Sequence, residues 1–261
     1  MGNLKNDDIV QQGLPPCKAV INLAGENLLN PAKRWNADYV KSLYDSRIET
    51  TRTLATAINQ AEEKPSVFVC GSAVGYYPPS VTTRYTEASP GGEGDFMAEL
   101  CKNWEAAGKL QDESGVRHVI IRTGVVLGRN GGMIQSAFLP FFLGLGGRVA
   151  SGEQFLPWIH IDDIVGIFVH AVENDHANGV FNGVAPECCT NAEFTRAFAS
   201  AMRRPAFFPV PEFLLNFVFG EERAKVMTRG QCVVPQRVLE TGYVYKFADI
   251  RSACDQCAHL A

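Results

Sequence analysis

The strongest constraint on this chain is a repeated local pattern, a short and almost continuously apolar run that stops at a turn of small residues. Lys18–Leu23 (KAVINL) ends in Ala24-Gly25, Ser66–Cys70 (SVFVC) in Gly71-Ser72, and Arg117–Arg122 (RHVIIR) in Thr123-Gly124. Stretches with helical spacing lie between the runs. In Asp38–Ala61, residues Tyr39, Leu43, Ile48, Leu54 and Ile58 are placed to share one side, and Phe96–Leu110 is a second helix candidate. Strands apolar on both faces, alternating with helices, predict an α/β fold with a parallel sheet covered on both sides. Ligands of such sheets bind outside the carboxyl ends of the strands. Attention therefore falls on Ala24-Gly25, Gly71-Ser72 and Thr123–Val126.

The rest of the chain continues the alternation. Tyr76–Gly94 is rich in Pro, Gly, Ser and Thr and reads as a long loop. Asp162–Glu173 reads as a helix with Asp162 and Asp163 at its start, where the helix dipole favours them. Gly179–Asn182 reads as a short strand, and Asn191–Met202 as a helix with Asn191 as its N-cap. Past about Thr190 strands give way to helices and loops, which marks a small, mostly helical C-terminal lobe.

Composition removes several function classes. With 46% apolar residues in 261, a sizeable core is available and global disorder is excluded. A net charge of −4 is wrong for a protein that grips a phosphate backbone, so no nucleic-acid partner is expected. No apolar run approaches the roughly 18 residues of a spanning helix, so no membrane association is expected. The first residues, MGNLKNDDIVQQG, contain no apolar signal core, and the cytoplasm is the default compartment. Eight cysteines in a chain of this length suggest reduced thiols, with the adjacent Cys188 and Cys189 unpaired. Cys254-x-x-Cys257 is half of a zinc knuckle without its partner pair, and no metal site is expected. His160 reads as a structural histidine bonded to backbone.

Several motifs then carry a resemblance. NLAG at Asn22–Gly25 resembles the Asn-x-Ala-Gly turn of short-chain dehydrogenases/reductases, and CGSAVGYY at Cys70–Tyr77 resembles the active-site turn of the nucleotide-sugar epimerases and dehydratases. WIHIDD at Trp158–Asp163 and GVFNGVAPECCTNAEF at Gly179–Phe194 are similar to later segments of the same group. NLAGEN, the Tyr-Tyr-Pro loop, the Phe-x-x-x-x-Cys-x-x-Trp-Glu helix and the Gly-Val-Val-Leu-Gly stretch are similar to the atypical "epimerase family" branch. The resemblance runs in order over about residues 14–250. It implies a Rossmann-like parallel sheet binding NADP, followed by a C-terminal lobe on the substrate side. Residues 1–185 would form the dinucleotide-binding domain and 186–261 the lobe, with 130–160 contributing to the substrate side. The activity implied is that of an NADP-dependent oxidoreductase or epimerase-like protein. No motif names its small-molecule substrate.

Carried over position by position, the resemblance puts Ser72 at the catalytic serine and makes Tyr76 the nearest phenol able to serve as a proton donor. Leu23 and Ala24 would line the adenosine side of the cofactor, Arg47 would pair with a cofactor phosphate, and Thr123 and Val125 would lie near the nicotinamide. Three departures accompany this. No Gly-x-Gly-x-x-Gly turn follows a strand and opens a helix: Gly92-x-Gly94 leads to Met97, and Gly144-x-Gly146 to Val149. The chain starts where the family's fourth strand starts, so the sheet is expected to lack its first βαβαβ unit, on the order of 50 residues or more. The Tyr-x-x-x-Lys pair, in which Lys lowers the phenol pKa for acid/base work, is also replaced: its positions fall on Met97 and Cys101. Arg47 and Leu156 stand where the family has an Asn and a nucleotide-clamping Arg. Impaired NADP binding is therefore expected. A truncated or non-catalytic form remains the alternative to an enzyme. Without a neighbour on its outer side, the strand at Lys18–Leu23 would become an apolar edge, a site of dimerisation or aggregation.

Overall fold

Each apolar run becomes a strand, and each stretch of helical spacing becomes a helix. The computed structural model describes residues 8–30, 33 and 35–259. Helix α1 (Asp8–Gln12) leads to β1 (Ala19–Asn22). Helix α2 (Ala37–Tyr44) runs through a π turn (Asp45–Glu49) into α3 (Thr50–Gln60), which is followed by β2 (Val67–Ala73). Next come β3 (Arg84–Tyr85), α4 (Phe96–Ala107), β4 (Arg117–Thr123), β5 (Val125–Leu127) and α5 (Gly132–Phe142). Strands β6 (Phe155–Leu156) and β7 (Trp158–His160) precede α6 (Ile161–Glu173), β8 (Gly179–Gly183), β9 (Cys189–Thr190) and α7 (Asn191–Met202). The remainder is α8 (Glu212–Phe219), α9 (Glu221–Thr228), β10 (Cys232–Val233), α10 (Gln236–Glu240) and α11 (Ile250–Ala258).

The principal sheet has the order β1-β2-β4-β8. β1 pairs in parallel with β2, from Ala19 opposite Val67 to Asn22 opposite Cys70. β1 is an edge strand, with Ile21 and Leu23 exposed. Among the described residues, no helix is long and apolar enough to cross a membrane.

The contacts group the chain into two compact units, each drawn from several stretches. The first is Met1–Tyr76, Gly91–Arg122 and Phe168–Phe181. In it, Leu54, Ala55 and Ile58 of α3 pack on Phe68 and Cys70 of β2, and Ile48 packs with Leu100 and Trp104 of α4. The five apolar positions read from the sequence are all buried. The five-residue step from Leu43 to Ile48 is one residue too long for a single α-helical stripe. The π turn takes up the extra residue, so both halves of the helix face inward. The second unit is Tyr77–Pro90, Thr123–Ile167 and Asn182–Ala261. Its core joins Leu127, Ile134, Phe141 and Trp158 to Phe194 and Phe198 of α7 and to Ile250, Cys254 and Cys257 of α11.

Three sequence readings are corrected. Helix α7 is capped by Thr190, not Asn191. Thr190 Oγ1 accepts from Glu193 N–H at 3.2 Å while Glu193 accepts from Thr190 N–H at 2.8 Å, a reciprocal capping box. Asn191 instead accepts from Val149 N–H. The Tyr76–Gly94 loop contains β3, which pairs in parallel with β10 across most of the chain. Cys188 is not an unpaired thiol: it is disulfide-bonded to Cys232, which the β3–β10 segment brings within reach over a separation of 44 residues. Cys189 is a buried free thiol whose pKa burial pushes up to about 12.

Candidate functional site in the first compact unit

The turn after β1 is built from its own side chains. Asn22 accepts from Ala24 N–H at 3.1 Å and donates to Thr51 Oγ1 at 2.8 Å; Thr51 also accepts from Trp104 Nε1 at 3.0 Å. Arg47, carried by the π turn, donates to the carbonyls of Glu26 and Leu43. A Cβ on Gly25 would stand 3.1 Å from the Arg47 guanidinium, so a larger residue there would press on that group. Arg47 is buried, and burial pulls its pKa below the usual guanidinium range. Both of these bonds go to backbone, so the structure shows Arg47 as the anchor of the NLAGEN turn. Leu23, at the tip of that turn, is 67% exposed, and Ala24 beside it is half-buried.

The end of β2 carries the polar chemistry. Ser72 is buried, and its Oγ donates to Glu105 Oε1 at 2.7 Å. Glu105, on α4, is held in a two-pronged bond by Arg122 from the end of β4: Nε to Oε1 at 2.8 Å and Nη2 to Oε2 at 2.8 Å. The Arg122 and Glu105 side chains are only 4% and 12% exposed. The Arg122 guanidinium also lies over the Tyr76 ring, 3.4 Å from its centroid. A carboxylate is an acceptor only, so the single proton of Ser72 points at Glu105, and any ligand at Ser72 meets lone pairs.

Met97 and Cys101 sit one turn apart on α4. A Cβ on Gly75 would be 3.0 Å from Met97 Cβ. Cys101 is buried among these residues, and desolvation pushes its thiol up to about 12. Neither side chain moves protons near neutral pH. Leu23, Ala24, Arg47, Ser72 and Tyr76 all lie in the first unit; Thr123 and Val125 lie in the second. There Val125 N–H donates to Pro157 O at 2.7 Å, and Val125 pairs with Trp158.

The other sequence candidates are structural. His160 is fully buried; its Nδ1 accepts from Asp162 N–H, so Nε2 carries the proton toward Gln256 Oε1. Cys254 and Cys257 are core residues, and no group of metal-ligating side chains exists among the described residues. Sequence reading missed Glu105 and Arg122 as site residues. The available signal was a charge closing an apolar strand, since a charge there needs a partner.

The chain belongs to the NAD dependent epimerase/dehydratase family, whose profile matches residues 1–182; a domain of unknown function, DUF1731, matches 210–257. The epimerase family protein SDR39U1 of Bos taurus is 52% identical over 248 residues, covering 95% of this chain and 84% of that protein. The crystal structure of human epimerase family protein SDR39U1 (isoform2) with NADPH is 49% identical with a TM-score of 0.94, covering 97% of this chain and 85% of that one. The nucleoside-diphosphate sugar epimerase from Corynebacterium glutamicum is 27% identical with a TM-score of 0.72, over 92% of this chain and 46% of that one.

The residues present fit a dinucleotide only in part. The Asn22–Gly25 turn offers a small, exposed wall at a strand end. Among the described residues the glycines offer no pyrophosphate cradle. Gly92 and Gly94 precede α4, whose first amides are already capped by the Asp95 carboxylate, and Gly144 and Gly146 follow α5. Gly128–Gly132 does run from β5 into α5, but without the Gly-x-Gly-x-x-Gly spacing.

Proposed function

We propose that this chain is an NADP-linked oxidoreductase or epimerase-like protein acting on a small carbonyl or alcohol compound. The reading rests on the array Ser72–Glu105–Arg122–Tyr76, a fixed set of polar groups at the carboxyl ends of β2 and β4. A bound nicotinamide would supply or accept hydride. Ser72, with its proton held by Glu105, accepts from a substrate hydroxyl. Tyr76 is the proton-transfer group, and Leu23 and Ala24 form the wall against the adenosine side. Arg47 acts on the cofactor through the turn that it holds. A second reading, a chain that keeps this frame without productive cofactor binding, is favoured by the lack of a pyrophosphate cradle among the described residues and by Met97 and Cys101.

Titration of NADPH, followed by its fluorescence and run beside the human protein, separates the readings. Each charge-assisted bond to a phosphate is worth about 1.5–3 kcal/mol, so losing two or more predicts binding at least about 100-fold weaker here. Equal affinity would overturn the impaired-binding part, and no saturation at millimolar NADPH would favour the second reading. We further propose that copies pair through the β1 edge, whose exposed Ile21 and Leu23 support the contact. Light scattering that gives a stable monomer would exclude such pairing.

A further inference from the structure

The segment that follows α7 leaves its apolar side chains outside. Helix α8 has six apolar residues among its eight, and of these Leu215 alone is buried. Phe213 and Phe217, one turn apart, are 74% and 85% exposed, and Leu214 and Val218 beside them are exposed as well. A helix this short is marginal in water by itself and depends on packing for its order. The apolar surface continues toward α5. Arg204 Nε donates to Phe142 O at 2.9 Å, and its guanidinium lies over the Phe142 ring. Phe208 N–H donates to Gly146 O at 3.3 Å, and a Cβ on Gly147 would stand 1.9 Å from Phe208 O, so glycine is what lets the two stretches run side by side. Phe142, Phe207 and Phe208 are exposed on these stretches, and the whole patch lies in the second compact unit. With about 150–250 Å² for a whole side chain, the exposed parts of these five phenylalanines come to roughly 500–850 Å². The largest apolar patch on an ordinary monomer is about 300–600 Å², whereas each partner brings about 800 Å² to a standard interface.

The charges around the patch select its cover. On the side of α7 stand Arg203 and Arg204; on α8 and at the start of α9 stand Glu212, Glu221 and Glu222, and all five are exposed. Lys225, 3.2 Å from Glu221 and 2.5 Å from Glu222, matches one of that pair's two negative charges, and Arg223 is turned inward over the Phe219 ring. One side of the patch is thus positive and the other negative at its surface. We propose that two copies of this chain pair through this α5–α8 face, turned end for end about a two-fold axis. The arginines of each copy then meet the glutamates of the other. Phe213 and Phe217 of both copies fill the centre, where aromatic anchors carry most of an interface's affinity. A surface of one charge sign, such as an anionic lipid face, would meet one side of the patch with like charge. The pairing is independent of the oxidoreductase reading. It is also separate from the β1 edge, which belongs to the first compact unit.

The full chain carrying Ile21→Lys, which puts a charge on the β1 edge, isolates this face for measurement. Analytical ultracentrifugation at micromolar concentration should show a two-copy species. Phe213→Gln with Phe217→Gln should raise its dissociation constant at least about thirtyfold, the effect of losing one strong aromatic anchor. Arg203→Glu alone and Glu222→Arg alone should each weaken pairing, because each sets like charges together at both ends of a two-fold contact. Mixing these two variants should restore it, since the altered positions of the mixed pair then meet opposite charges. A monomer throughout would overturn the proposal, and so would a monomer that binds phosphatidylserine vesicles instead. Pairing that survives the two glutamines, or charge variants that fail to recover on mixing, would overturn it as well. If the glutamine variant loses its circular dichroism, the mixing experiment decides, because both charged positions are exposed: recovery sustains the proposal and its absence overturns it.

Discussion

Glu105→Ala lowers the unfolding free energy by about 3–5 kcal/mol, because it leaves the Arg122 guanidinium buried without its counter-charge. Glu105 holds Arg122 in a two-pronged geometry, and it also receives the Ser72 proton. Its loss takes the carboxylate away from both donors in a place water reaches poorly. Glu105→Gln should recover little, since an amide turns one of its two acceptor positions into a donor facing another donor. Replacing both partners with apolar residues, Glu105→Leu with Arg122→Met, should regain most of the stability, because the cost lies in the unpaired charge rather than in the absence of the pair. The urea midpoint is the measurement. A loss under about 1 kcal/mol for Glu105→Ala would mean that the pair behaves like a screened surface ion pair.

Asp163→Ala is expected to cost a comparable amount in the second compact unit. Asp163 is 0% exposed, and its carboxylate accepts from Lys246 N–H at 2.8 Å, Phe247 N–H at 2.9 Å and Tyr243 Oη at 3.1 Å. Tyr243 Oη can still reach the Asp163 carbonyl, at 3.2 Å, so the two amides are the donors left dry; at about 1–3 kcal/mol each, a total of about 4 kcal/mol is expected. Burial and the adjacent carboxylate raise the Tyr243 phenol well above its ordinary range, so it stays a donor throughout the accessible pH window. Tyr243→Phe removes one of the three bonds and should cost about 1 kcal/mol. Hydrogen exchange provides the local readout: in Asp163→Ala the amides of Lys246 and Phe247 should lose protection. Retained protection at those two amides would show that the segment is held by something other than Asp163.

The fold was legible wherever one local signal was sufficient. Three apolar runs gave β1, β2 and β4, and the spacing of Tyr39, Leu43, Ile48, Leu54 and Ile58 gave the long helix. That Ser72 closes an apolar strand was legible too, from the run Ser66–Cys70 and its small-residue end. The partners of Ser72 were not. Glu105 and Arg122 are 17 residues apart on different elements, and neither reveals the other without the fold. The β3–β10 pairing and the Cys188–Cys232 bond depend on which distant segments the chain brings together, and no periodicity encodes that. The cap of α7 is a different matter. Thr190-x-x-Glu193 is a readable signature, and Asn191 drew attention from it because both residues suit the position.

The π turn at Asp45–Glu49 is, in effect, a phase shifter. An α-helix advances about 100° per residue, so removing one residue between Leu43 and Ile48 would rotate everything ahead of the gap by that angle relative to everything behind it. Tyr39 and Leu43 could then stay inward only if Ile48 and Arg47 turned away, and the carbonyls of Glu26 and Leu43 would lose the guanidinium that ties them together. A one-residue length difference at this place is therefore not a neutral slip between relatives.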